Sequence, residues 1–302
     1  MRGWRSVRRD PTAIASAVVL VVFVLVAVLA DVISALYGHG RDDVFPHLLD
    51  DFGFPLGVAG GISADHWFGV EPGVGRDVFI QLVYGARTSL GIAAAGAVLA
   101  TAAGVVIGLV AGYVGGWVDG IVSWVVDVFL AFPFIVFALA AVPVVNSLFT
   151  GSPLLSPGPL VRIGTLVVVL VAFGWMSVAR IVRGQVLSLR ERPYVESARA
   201  LGAGPWRVMI RHVLPNLSGP VLVGFSMALP VYIQAEAALS FLNIGVAEPV
   251  PDWGRMIFTS LPYLRSDWTY PFFPGMALLL LVLSANLLGD VVRDAFDPRS
   301  GR

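Results

Sequence analysis

Apolar positions along the chain collect into six long stretches, separated by polar segments rich in glycine and proline. They run from about Ala13 to Leu36, Ser89 to Tyr113, Ile121 to Val145, Val161 to Ala179, Leu217 to Leu242 and Pro271 to Val292. Crossing the ~30 Å hydrocarbon core takes roughly 20 apolar residues in a helix. Each stretch therefore predicts one span, and the chain reads as an all-α integral membrane protein with six transmembrane helices. Composition agrees, because 57% of the residues are hydrophobic and only 13% charged, whereas soluble domains carry about 25% charged residues. The first stretch follows Arg2, Arg5, Arg8 and Arg9 in the manner of a signal peptide. Its apolar run exceeds the roughly 7–15 residues of an h-region, so it predicts an uncleaved anchor.

An even number of spans puts both termini on one side. With that side cytoplasmic it holds 14 arginines, in the start, in Arg180–Arg211 and in the tail. The other side holds six: Arg41, Arg76, Arg87, Arg162, Arg255 and Arg265. The positive-inside rule then predicts cytoplasmic N- and C-termini. The resulting organisation is an anchor helix with a long extracytoplasmic loop (1–88), a five-helix core (89–292) containing a cytoplasmic loop (180–216), and a cytoplasmic tail (293–302).

Two absences narrow the chemistry. There is no cysteine, which excludes disulfides and thiolate metal sites, and all 20 basic residues are arginine. A P-loop needs a lysine to reach the β/γ-phosphates, so this chain binds no ATP through one. Within the second stretch Gly104, Gly108, Gly112 and Gly116 recur at every fourth position, a spacing that lets another helix approach closely in lipid. Pro133, Pro220 and Pro230 are expected to kink the third and fifth helices.

The most informative segment lies between the fourth and fifth stretches, from Arg192 to Asn216. Pro193 suits a first helical turn and Glu196 complements a helix N-terminus. Gly202, Gly204 and Pro205 form a break, and a second short helix is expected from about Trp206 until Pro215 stops it. Ser197, Ala198, Ala200 and Gly202 keep the first helix slim, so a partner can approach it closely. The alternative is a solvated, arginine-rich connector, which accounts for the charges but not for the small residues or the break.

This segment resembles the EAA loop of ABC importer permeases: Glu-Ala-Ala, three residues, Gly, nine residues, Ile, one residue, Leu-Pro. Glu196, Ser197, Ala198, Gly202, His212, Leu214 and Pro215 stand in register with it, departing at Ser197 and His212. The string Arg211–Asn216 is similar to the dipeptide/oligopeptide/nickel branch, where His is usual at that place. Gly75–Val78 with Tyr84–Leu90, Ala238–Val246 with Trp253–Met256, and Leu287–Asp290 with Arg293–Ala295, Asp297 and Pro298 resemble the C-type permeases of that branch in the same order. The family usually reads Gly-Thr-Asp, two residues, Gly-Arg-Asp. Here Gly69-Val70-Glu71 precedes Gly75 with one residue more, and the loop from Tyr37 to Asp65 is longer than expected.

The resemblance implies a type I ABC importer permease in the bacterial plasma (inner) membrane, forming half of a pathway for di- and oligopeptides. Tyr194, Glu196, Ser197, Ala198, Ala200, Leu201, Gly202, His212, Leu214 and Pro215 would form the ATPase-coupling loop. The implied partners are a homologous B-type permease, cytoplasmic ABC ATPase subunits and an extracytoplasmic solute-binding protein, besides membrane lipid and without nucleic acid. The chain itself would be no enzyme and bind no cofactor, ATP and Mg²⁺ being used by the partner subunits. Nickel or another small solute is the alternative cargo within the branch.

Ionisable and amide side chains inside spans are candidate pathway residues, here Asp127, Glu236 and Asn286. Near-interface groups satisfied by a neighbouring helix or by water are the alternative. Asp127 and Glu236 are also the sole support for a gradient-driven secondary transporter, which leaves the EAA-like segment unexplained. His39, His47, His66 and His212 show no paired metal-ligand spacing. His39 and His47, beside Asp42, Asp43, Asp50 and Asp51, are read as solvated loop surface, and no metal site is expected. A membrane enzyme fares worst, lacking any convergent His/Asp/Glu motif.

Overall fold

The computed structural model describes residues 10–151 and 157–296. Arg2, Arg5, Arg8, Arg9, Arg299, Arg302, Asp297 and Pro298, used above, lie outside the described residues. The first span is α1 (Pro11–Val28) followed by α2 (Ala30–Tyr37), the second is α3 (Val78–Val114), and the third is α4 (Gly116–Leu130) with α5 (Phe134–Thr150). The fourth is α6 (Pro159–Leu189). A connector with α7 (Pro193–Ala200) and α8 (Pro205–Val208) leads to the fifth, α9 (Ser218–Phe241). After α10 (Trp253–Ser260) comes the last span, α11 (Thr269–Phe296). Five helices are long and apolar enough to cross a membrane, or six when the bent pair α4–α5 counts as one span. Among the described residues β structure is confined to isolated bridges in the loop after α2, such as Val44 with Arg76.

Several boundaries differ from the apolar stretches, because capping and pairing, not hydropathy, end these helices. α3 starts at Val78, not Ser89: Asp77 Oδ1 accepts from Ile80 N at 2.9 Å and satisfies a free donor of the first turn. α6 continues past Ala179 to Leu189, so the first part of the expected cytoplasmic loop is helix. The first span breaks at Leu29 (φ −90°, ψ 13°). Arg87 Nε donates to the carbonyl of Ala27 at 2.8 Å there, and Arg87 Nη2 reaches Asp31 at 3.0 Å.

Pro133 does more than kink its span. It sits extended (φ −62°, ψ 125°) before α5, and α4 and α5 meet at 95°. A proline disfavours helical backbone at the residue before it, here Phe132, and a whole helix end results. Pro215, by contrast, stops nothing. A π-turn (Met209–Val213) and a 3₁₀ turn (Leu214–Leu217) carry the chain from α8 into α9. Such turns shift the hydrogen-bond register, and the missing N–H of proline is absorbed there. Pro220 falls in the first turns of α9 and Pro230 inside it.

α3 and α6 form the centre, packed through the glycine stripe. A Cβ on Gly104 would stand 2.6 Å from the Trp175 carbonyl oxygen, one on Gly108 2.6 Å from that of Ala179, and one on Gly112 2.9 Å from that of Arg183. The partner of the stripe is therefore α6. Gly116 is not part of it: it opens α4 at φ +59° and faces no atom within 4 Å. The main core gathers Ala93, Ala97, Leu166, Leu170, Ile233 and Leu281 from α3, α6, α9 and α11. A second, smaller core joins Leu109, Val182 and Val186 to Val195, Val208, Val213 and Leu217. It seats the connector against the ends of α3 and α6.

Candidate functional site

The connector is rigid for local reasons. Pro193 opens α7, and its C-terminus closes as a Schellman motif. Ala203 N donates to Ala198 O at 3.0 Å and Gly202 N to Arg199 O at 2.9 Å, while Gly202 takes the left-handed conformation at φ +80°. Only glycine enters that region without a Cβ penalty, which gives the glycine of the EAA-like pattern its reason. Ser197 Oγ donates to the Pro193 carbonyl at 2.8 Å, so the serine standing for alanine spends its hydroxyl on its own helix.

Val195 is fully buried and Ala198 9% exposed, and these anchor one side of α7. The opposite side presents Glu196, Ser197 and Ala200 to solvent, with Tyr194, Leu201 and Trp206 exposed by 41%, 89% and 68%. Large apolar side chains exposed on a short polar helix pair suit contact with a protein or with the membrane surface. His212 lies in the π-turn with its carbonyl accepting from Asn216 Nδ2 at 2.7 Å, and Leu214 and Pro215 form the following 3₁₀ turn.

The arginines of this end divide by role. Arg183 makes a two-pronged pair with Asp119, Arg180 Nη2 meets Asp127 Oδ1 at 2.6 Å, and Arg190 Nη1 donates to the Gly112 carbonyl at 3.1 Å. Arg199 donates to Tyr113 Oη at 3.3 Å and lies 5.0 Å over its ring. α6 and α7 are thereby tied to α3 and α4, and Asp127 has its partner on a neighbouring helix. Arg192, Arg207 and Arg211 stay exposed.

Beside the connector, α6 and α9 flank an open groove of about 1010 Å³, with Leu130 and Phe134 from the α4–α5 corner and Arg293 and Phe296 at its end. Most of its lining is apolar; Ser177, Gln185, Tyr232 and Arg293 supply the polar side chains. Gly174 makes room for Tyr232, since a Cβ there would stand 1.6 Å from the phenol oxygen. The lining does not include Asp127, Glu236 or Asn286. Asn286 Nδ2 donates to the Val282 carbonyl at 2.9 Å on an exposed face of α11. Glu236 is fully buried in the core, where Ser240 Oγ donates to its Oε1 at 3.2 Å. Nearby, Asp252 is equally buried and caps α10 through Arg255 N at 2.9 Å.

Sequence reading did not find the groove. Its signal was nevertheless present, because Gly174, Ser177, Ile181 and Gln185 recur at helical spacing on α6.

The opposite end is closed by the loop after α2. Arg76 grips Glu71 side-on, Nε to Oε2 at 2.6 Å and Nη2 to Oε1 at 3.1 Å, and Tyr270 Oη donates to the same Oε1 at 2.7 Å. Burial works against the Arg76 charge, yet the Glu71 carboxylate overrides it and raises the guanidinium pKa above its ordinary value. Glu71, displaced by the extra residue before Gly75, is thus the carboxylate that holds the Gly-Arg-Asp turn. Glu248 Oε1 accepts from Arg76 at 3.3 Å and Arg255 at 2.9 Å, joining the loop before α10 to this network. Tyr37 Oη donates to Asp77 Oδ2 at 3.1 Å. Asn243, at φ +60°, closes α9 by the same Schellman pattern as Gly202, with Ile244 N donating to Leu239 O at 3.1 Å and Asn243 N to Ser240 O at 3.0 Å.

A multi-span bundle with a small, firmly seated helix outside the spans and an open groove along two of them is the frame of a transport permease. The chain belongs to the binding-protein-dependent transport system inner membrane components, whose family model matches residues 104–302. A second model, the N-terminal TM domain of oligopeptide transport permease C, matches residues 2–47. The chain is similar to the glutathione transport system permease protein GsiD of Escherichia coli O1:K1 / APEC, 33% identical over 296 residues, which is 98% of this chain and 89% of that protein. It is 34% identical over the same length to the protein of that name from Shigella flexneri serotype 5b (strain 8401). This is a multi-pass protein of the bacterial inner membrane and a permease subunit of the importer class.

Proposed function

We propose that this chain is the C-type permease of an ATP-driven peptide importer, and that α7 is the element through which a cytoplasmic ATPase moves it. The observation that carries the reading is the seating of α7. Val195 and Ala198 fasten it to the α3–α6 core, while Tyr194, Glu196, Leu201 and Trp206 stay free for a partner. Without lysine the chain has no P-loop of its own, so hydrolysis belongs to that partner, with ATP and Mg²⁺. The arginine distribution supports a cytoplasmic connector and cytoplasmic termini. The end with the Glu71–Arg76 network then faces outward, where a solute-binding protein delivers its load.

The groove between α6 and α9 is half of the path, completed by a homologous B-type permease. At about 1010 Å³ it matches the roughly 300–1,000 Å³ of small-ligand sites, room for a short peptide. The oligopeptide-permease match over residues 2–47 and the glutathione transport named for the relatives both support a peptide cargo.

The test is co-purification in mild detergent with ATPase assay, followed by uptake of labelled di- and tripeptides into vesicles. Recovery of a second permease and of ATPases, lost on Glu196→Lys, is expected. A chain that purifies alone even after crosslinking refutes the coupling reading. Assembly intact with nickel but no peptide uptake refutes the cargo alone.

A further inference from the structure

The loop end holds a polar cluster that coupling and the groove do not use. His39 follows α2, His66 lies in the loop, and Asp77 caps α3. Folding brings one ligand atom from each to within 4.8 Å of the others. His66 and Asp77 are 6% and 2% exposed, and His39 is half-buried.

The two carboxylate oxygens of Asp77 are divided. Oδ1 accepts from Ile80 N as the helix cap, while Oδ2 accepts from Tyr37 Oη at 3.1 Å and lies 2.7 Å from His66 Nδ1. His39 Nε2 sits 3.0 Å from the Asp65 carbonyl oxygen. A nitrogen facing a carbonyl must carry the hydrogen, so Nδ1 of His39 keeps its lone pair. A histidine held through its other ring nitrogen by a backbone carbonyl is the usual supporting arrangement at metal centres. Around the cluster stand aromatic rings: Phe45 is 4.7 Å from His66, and Tyr37 is 5.0 Å from His39.

We propose that His39, His66 and Asp77 bind a divalent first-row transition cation of the Zn²⁺ class. An ordinary His66–Asp77 hydrogen bond accounts for two of these residues. A second imidazole stacks 4.9 Å from the first with a tilt of 13°, and one of the two rings must turn out of that stack for both lone pairs to reach a single ion. Two imidazoles and a carboxylate suit zinc, nickel, cobalt or copper and not the oxygen-seeking Mg²⁺ or Ca²⁺. Ligands around a tetrahedral ion at ~2.0–2.1 Å lie about 3.3 Å apart, so the widest pair closes by at most about 1.5 Å, while His66 Nδ1 and Asp77 Oδ2, now 2.7 Å apart, part by about 0.6 Å and lose the hydrogen between them. The ion fastens the end of the first span, the loop and the start of α3 at one point. Nothing along the chain signals this cluster, since His39 lies nearest His47 in sequence and folding pairs it with His66 instead.

The test uses the full chain in detergent, carrying a tag without histidine and stripped by a chelator. Zn²⁺ is titrated in competition with a chromogenic chelator, and Co²⁺ binding is followed by its visible absorption. One ion per chain is expected. His39→Ala and His66→Ala should each weaken binding by about tenfold or more, Asp77→Asn should weaken it while keeping the α3 cap, and His47→Ala should leave it unchanged. Size-exclusion profiles matching the parent show that the variants are folded. No stoichiometric binding by the parent, or equal binding by parent and His39→Ala, overturns the site.

Discussion

Gly108 of α3 lies so close to Ala179 of α6 that a methyl group on it would stand 2.6 Å from the Ala179 carbonyl oxygen. Backbone cannot swing aside as a side chain does, so Gly108→Ala must push the two helices apart. The expected loss is about 1–3 kcal/mol, the usual range for overpacking. Gly91, with nothing within 4 Å, is the control: Gly91→Ala should be neutral or slightly stabilising, since alanine is the better helix former. Thermal unfolding of both variants in one detergent decides it. Equal stability would show that the stripe does not set the α3–α6 distance.

Glu71 and Arg76 are both buried and doubly bonded. Removing Glu71 leaves Arg76 with only the more distant, exposed Glu248 at 3.3 Å, so the loss is expected to fall below the roughly 3–5 kcal/mol of a fully stranded charge. Glu71→Ala should therefore open the loop after α2 to protease, and Glu71→Gln, which keeps an acceptor for Tyr270, should do so less. Unchanged proteolysis of Glu71→Ala would contradict the role given to this pair.

Gly202 is held at φ +80° with open space around it, so a substitution there tests backbone strain alone. Gly202→Ala should cost about 1–2 kcal/mol, seen as about tenfold faster amide exchange at the end of α7. Gly202→Asn should cost less, because asparagine tolerates the left-handed region. Similar exchange in all three proteins would detach the Schellman closure from the rigidity of the connector.

Arg183 and Asp119 are partly exposed, 32% and 19% by side chain. Each of Arg183→Asp and Asp119→Arg should destabilise the α4–α6 contact, and the double exchange should recover about 1 kcal/mol of coupling. A double variant no better than the sum of the singles would mean that the pair adds nothing to the packing.

The spans were legible because twenty apolar residues in a row have few other uses, and the first short helix of the connector because Pro193 opens it and Gly202 closes it. Three features escaped for physical reasons. Pro133 announces a bend but not its 95° size, which depends on what α4 and α5 pack against. Gly116 keeps the four-residue spacing of the stripe, yet the left-handed turn at Gly115 (φ +70°) takes it off the helix face. Asp127 reads as a costly charge in a span until Arg180 is brought beside it from another helix.

α6 runs unbroken for 31 residues, roughly 46 Å at 1.5 Å per residue, from the loop end past the groove to the root of α7. Its tight seat on α3 spans Trp175 to Val186, nearer the α7 end, so the helix is a lever with unequal arms. From that seat the short arm to Leu189 is a few residues, whereas the arm to Pro159 is roughly 24 Å. If α7 receives the movement of an ATPase as proposed, a small tilt there is returned at the far end of α6 with opposite sense and greater amplitude. Spin-label distances at the two ends of α6 should change in opposite directions during the ATP cycle, and changes of the same sign would mean that the helix slides instead of pivoting.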